Sequence, residues 1–272
     1  MTRTSRFFQH AVLLIFALYA LVPVYLVVLA SLRSEADLFS GPLTLPWPID
    51  IGNFRRVWFE SGFSQFFVNS LMISTGSTLL VMLTAPLAGF AFAKLKFPGK
   101  EILFGLFLAG LVVPAPSVIL ALYGDLQLLG LLNTRVGVIL PQAALLLPFS
   151  IFMMRTVMED VPDDLLEAAT IDGATLFETF TKVVVPIVKP GLLSLALIAF
   201  LFSWQEYLLP LVVIQDETLK PLTVGAATLQ GRYGVDYGGI AAAGIIAFAP
   251  IVVLFLVLQR SFVRGLTAGA LK

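Results

Sequence analysis

Cysteine is absent from all 272 residues, and histidine occurs once, at position 10. The first absence excludes disulfides and thiolate metal sites. The second excludes multi-histidine metal motifs and leaves His10, near the amino terminus, as an interfacial residue. Charge is scarce too. Asp, Glu, Lys and Arg make up 12% of the chain, against roughly 25% in soluble domains. The 17 basic and 17 acidic residues cancel, and no basic stripe appears, which argues against a nucleic-acid partner. What is abundant is apolar: 58% hydrophobic residues and a mean hydropathy of +0.96. A surface this oily cannot be hidden in one water-soluble core, so the solvent around most of the chain is lipid.

A bilayer-crossing helix needs about 20 mostly apolar residues. Six stretches qualify: residues 11–32, 67–92, 102–124, 136–158, 190–212 and 240–261. The first exceeds the roughly 7–15 apolar residues of a secretory signal core and is read as a span. The expected fold class is therefore an all-α integral membrane protein with six transmembrane helices in a single domain, 1–272. Six spans put both termini on one side. With the termini inside, eleven Lys and Arg residues face inward and six outward. That is the cytoplasmic bias expected of basic residues. This topology makes 155–189 a cytoplasmic loop and 33–66, with Pro42, Trp47 and Trp58, the largest outer loop. Prolines 23, 86, 114, 116, 141, 148, 210 and 250 fall within or beside the spans, where kinks and freed carbonyls are expected.

Seven acidic residues, from Glu159 to Glu178, interrupt the apolar pattern, and Lys182 is the one base before Lys189. Pro162, Asp163 and Asp164 suit the first turn of a helix, with Asp160 as its cap. Gly173 is placed to end that helix. Thr175-Leu176-Phe177-Glu178 matches a capping box that starts a second. Anionic headgroups repel so acidic a segment, so a protein partner fits it better than lipid. Small Ala168 and Ala169 permit close seating, and Glu167 offers a charge to a basic group.

Glu167-Ala168-Ala169, Asp172-Gly173-Ala174 and Val185-Pro186 resemble the EAA loop of permease subunits in binding-protein-dependent ABC importers. Asn69-Ser70, the stretch Ala91 to Lys100, Leu129 to Thr134, Ser203 to Tyr207 and the tail Arg264 to Ala270 are similar to the carbohydrate class, in particular to the second permease of maltose-type and glycerol-phosphate-type systems. The resemblance implies the type I importer permease fold and a bacterial cytoplasmic-membrane location. It implies that Glu167, Ala168, Ala169, Asp172 and Gly173 form the coupling helix, with an ATPase dimer docking at 162–174. It further implies a second permease subunit, an extracytoplasmic solute-binding protein and a carbohydrate substrate. ATP and magnesium would sit on the ATPase, with no cofactor on this chain. Gln205 departs from the family, which usually shows Asn or Asp there.

A nucleotide loop of the G-x-x-x-x-G-K-[ST] type is not found. Gly99-Lys100 is the one Gly-Lys pair, Lys94 stands where the first glycine belongs, and Glu101 follows. Glu206 is the one acid deep within an expected span. Two readings stand for Trp204, Gln205, Glu206 and Tyr207: a lining of the sugar path, or a hydrogen-bonded structural acid at the Leu209-Pro210 turn. Tyr123, Gln127 and Gln142 are weaker path candidates. Two other functions are the alternatives. A stand-alone ion-coupled carrier needs several ionisable groups near the midplane. A membrane-embedded transferase needs converging nucleophiles and bases.

Overall fold

The computed structural model describes residues 3–34, 37, 46–231 and 234–270. Pro42, Arg232 and Lys272, which entered the loop and charge readings, lie outside the described residues. Among the described residues, four helices are long and apolar enough to cross a membrane, and two further pairs bring the number to six if each bent pair is one span.

The chain falls into two compact units, one of residues 1–65 and 225–250, the other of 66–224 and 251–272. The first holds α1 (Arg3–Ser31), a short helix α2 (Gly52–Arg55) that continues as a π-helical turn through Glu60, and the start of α13 (Tyr237–Ala270). A two-residue hairpin pairs Gln230–Gly231 with Gly234–Val235. Buried Asn53 ties α2 to the end of α1, its Nδ2 donating to the Ser31 and Arg33 carbonyls at 3.0 and 2.8 Å. Its Oδ1 accepts from Arg56, which also pairs with Asp236 at 3.0 Å. Asp236 in turn accepts the Gly239 N–H and so caps α13. Gly238 is required beside Asn53, since a Cβ there would lie 2.7 Å from Nδ2.

The second unit is built on α3 (Phe63–Lys94), α4 (Lys100–Gly110), α5 (Ala115–Leu128), α6 (Val136–Glu159) and α10 (Lys189–Gln205). Helix α6 is central. Its Met154 packs so tightly on Gly89 of α3 that a Cβ on the glycine would lie 2.6 Å from that of Met154. On another side, Gly191 of α10 meets Val157 just as closely. Val81, Ala85, Met154 and Leu195 form the fully buried centre of this packing.

Two spans differ from expectation. The third, read as one span over 102–124 with kinks expected at its prolines, is two helices, α4 and α5, bent by 98°. Pro114 and Pro116 lack N–H donors, and Pro114 holds extended backbone at φ −69°, ψ 126°. The fifth ends at Gln205, short of 212, because Glu206 is extended. A separate α11 (Leu208–Val213) follows. Below it the chain bends by 82° at Val188. The segment before that bend comprises α8 (Leu176–Glu178), a π-helical run to Val184 and α9 (Val185–Ile187).

The stretches that carried the family likeness hold loops together. Asn69 donates to the Thr218 and Lys220 carbonyls and accepts from the Arg135 guanidinium. Ser70 accepts the N–H of Leu222, which opens α12 (Leu222–Gly225). Asn133, at φ 58°, accepts from the Gln215 and Asp216 amides.

Candidate functional site

The acidic insert folds as α7 (Asp163–Ile171), and none of its residues is buried. Pro162 occupies the N-cap with extended backbone and no side-chain cap bond. The expected cap, Asp160, is instead the C-cap residue that follows α6. It is separated from α7 by Val161, whose side chain anchors in the core. Asp163 and Asp164 lie in the first turn, where the helix dipole favours carboxylates.

The helix ends as the glycine requires. Gly173 has φ +80°, its N–H reaches the Thr170 carbonyl at 3.0 Å, and the Ala174 N–H reaches that of Ala169 at 2.9 Å. This is the paired Schellman termination. Thr175 and Glu178 then complete a reciprocal capping box. Leu166 and Ala169 turn partly inward, while Glu167, Ala168 and Ile171 are exposed, Ile171 by 86%. Phe90, Leu95, Leu166, Ile171 and Leu176 line an open groove of about 650 Å³, with Glu167 and Thr170 among its polar walls.

Sequence reading gave Lys94 no part in this site. Its side chain is only 6% exposed. The ammonium donates to the Val161 carbonyl at 2.6 Å and to the Glu159 carbonyl at 3.4 Å, and it pairs with Asp163 at 2.6 Å. One cation thus joins the end of α3, the last turn of α6 and the first residue of α7. The hydrogen bond and charge of Lys94 hold the Asp163 carboxyl below the ordinary range. The available signal was a lone lysine closing an apolar helix. A second fork lies alongside. Arg155 binds both oxygens of Glu101 at 3.0 and 3.1 Å, bonds Glu159, and sits 4.1 Å over the Phe104 ring. It fastens α4 to α6.

The tentative path residues divide. Trp204 is packed rather than presented, stacked on Phe200 and edge-on to Phe67. This removes it as an open stacking face for sugar in this arrangement. Glu206 accepts the Leu208 and Leu209 amides at 2.9 and 3.2 Å, the geometry of a cap on α11. Gln205 and Tyr207 are exposed, as is Gln127, and Tyr123 is half-buried. Gln142 is 1% exposed. Its Oε1 accepts from Ser77 of α3 and Ser203 of α10, so it joins three helices.

The family of binding-protein-dependent transport system inner membrane components matches residues 85–268. The trehalose transport system permease SugB of Mycobacterium tuberculosis is 34% identical over 93% of this chain and 93% of its own length. The arabinooligosaccharide transport permease AraQ of Halalkalibacterium halodurans is 35% identical over 94% and 92%. The diacetylchitobiose uptake permease NgcG of Streptomyces coelicolor is 32% identical over 97% and 88%. A crystal structure of a bacterial ABC transporter for the acidic polysaccharide alginate superposes with a TM-score of 0.84 at 24% identity. That match covers 96% of this chain and 99% of that one.

Proposed function

Because this chain belongs to the binding-protein-dependent transport system inner membrane components, we propose that it is the permease half that carries an ATPase's motion into a carbohydrate path. The fold is all-α and multi-pass, of the type I importer permease kind. The observation that carries the proposal is α7, with no residue buried yet rooted through Lys94 in the ends of α3 and α6. A partner gripping α7 thereby moves two membrane helices at once.

In this reading the 272 residues act as one permease domain, with both termini and the loop 155–189 in the cytoplasm. A second permease completes the path, an external solute-binding protein delivers the sugar, and nucleotide and magnesium stay on the ATPase. The apolar groove beside α7 receives ATPase side chains, Glu167 meets a basic group, and Gly173 fixes where the docking helix stops. The sugar-named relatives support a carbohydrate substrate. Gln205 and Tyr207 present hydrogen-bonding groups to the path, and Trp204 and Glu206 hold the turn that displays them.

The experiment is disulfide trapping in the assembled transporter, which the cysteine-free chain makes clean. A cysteine at Glu167 paired with cysteines along the ATPase surface should cross-link in a nucleotide-dependent way. Glu167→Lys and Gly173→Trp should leave assembly of the membrane domain intact and stop coupled uptake. Wild-type uptake in both variants would falsify the coupling role.

A further inference from the structure

The segment that follows α1 carries apolar side chains that no part of the described core receives. Trp47 is 90% exposed and Phe59 75%, with Ile49 and Ile51 exposed between them and Arg55 beside them. Val57, on the same short helix, is buried, so the segment has a packed side and an open one.

Its height relative to a bilayer is set by α1. The Asp50 amide donates to the Leu32 carbonyl at 3.0 Å, and Asn53 holds the Ser31 and Arg33 carbonyls. The span Phe7–Ser31 has 25 residues. At about 1.5 Å per residue it reaches roughly 37 Å, more than the ~30 Å hydrocarbon core. Ser31 therefore stands at the headgroup boundary. The other end of the segment runs into Phe63, where α3 begins, so it starts and finishes at the foot of a span. Exposed apolar side chains run along α1 from Phe7 to Val28, and the segment tied to its end carries exposed apolar side chains as well. Aromatics with a neighbouring arginine are the composition of a membrane interface.

We infer that residues 47–59 form an interfacial cuff. Trp47, Ile49, Ile51 and Phe59 enter the boundary between headgroups and acyl chains, and Arg55 lies against lipid phosphate. The inference concerns the bilayer and is independent of the ATPase reading.

The test is spin labelling at Trp47→Cys and Phe59→Cys in the assembled transporter, with partner chains stripped of cysteine and reconstituted in vesicles containing anionic phospholipid. Collision with oxygen, which concentrates in lipid, is compared with collision with a nickel chelate, which stays in water. The expected result is a collision ratio shifted toward oxygen at both positions. A ratio favouring nickel would place the segment in water, and exclusion of both reagents would place it under a protein partner. Either overturns the inference. Ile49→Cys serves as the third position if Trp47→Cys fails to assemble.

Discussion

Lys94 reaches three oxygens, and two of them belong to the backbone where α6 gives way to α7. A hydrogen bond to a charged group is worth ~1.5–3 kcal/mol. Lys94→Met keeps the apolar stem and removes that tie, so coupled uptake should fall about tenfold to a hundredfold while the protein still inserts. Initial uptake rates at matched expression check this. The partner carboxylate sets the pH range. Asp163 titrates below its ordinary value when folded, so its contribution is complete above the unfolded range and is lost only as pH falls through the lowered value. Cross-linking yield at α7 should accordingly be flat from about pH 5 to 8. At Glu206 the two readings predict different variants. Glu206→Gln retains an oxygen acceptor for the Leu208 and Leu209 amides and should leave thermal stability and uptake near wild type. Glu206→Ala removes both bonds and should destabilise by about 1–2 kcal/mol, seen as a lower melting temperature in detergent. A large uptake defect in a stable Glu206→Gln protein would instead place the charge in the path. The helix stop at Gly173 was readable because glycine tolerates the left-handed backbone that the termination needs. Lys94 was not, because its role depends on carbonyls contributed by a helix some sixty residues away in sequence.

Elements were legible where local chemistry dictates them. The α7 termination follows from one glycine, and the next helix start from one Thr-x-x-Glu pair, so both appear where the sequence put them. The N-terminus of α7 misled because Asp160 is a good cap by type, yet Val161 and Pro162 intervene and α6 claims it first. The break between α4 and α5 was obscured for a related reason: hydropathy is unchanged by a 98° turn, and the prolines that cause it also occur inside unbroken helices, as Pro141 and Pro148 do in α6. Gly173 carries the clearest prediction at this scale. No atom lies within 4 Å of a Cβ added there, so Gly173→Ala tests backbone strain alone. A left-handed residue with a side chain costs about 1–2 kcal/mol. Hydrogen exchange should rise at the end of α7 and remain unchanged in α6.

For the whole molecule, composition settled the solvent, and span counting settled the class of fold. Which helices touch was beyond it. The approach of α3 to α6 rests on Gly89, where an added Cβ would meet both the Met154 Cβ and, at 3.0 Å, the Arg155 backbone. Gly89→Leu must push the two helices apart. Overpacking of this kind costs about 1–3 kcal/mol, and the purified transporter should melt earlier and lose uptake. Gly105→Leu is the control, since nothing lies within 4 Å of a Cβ there.

Gln142 bears on where such a molecule can yield. Its single carbonyl oxygen serves hydroxyls from helices on two sides, and the residue is almost fully buried. Parting α3 from α6, or α6 from α10, strands polar atoms in oil. Separating these three helices therefore carries a desolvation cost that separating purely apolar faces does not.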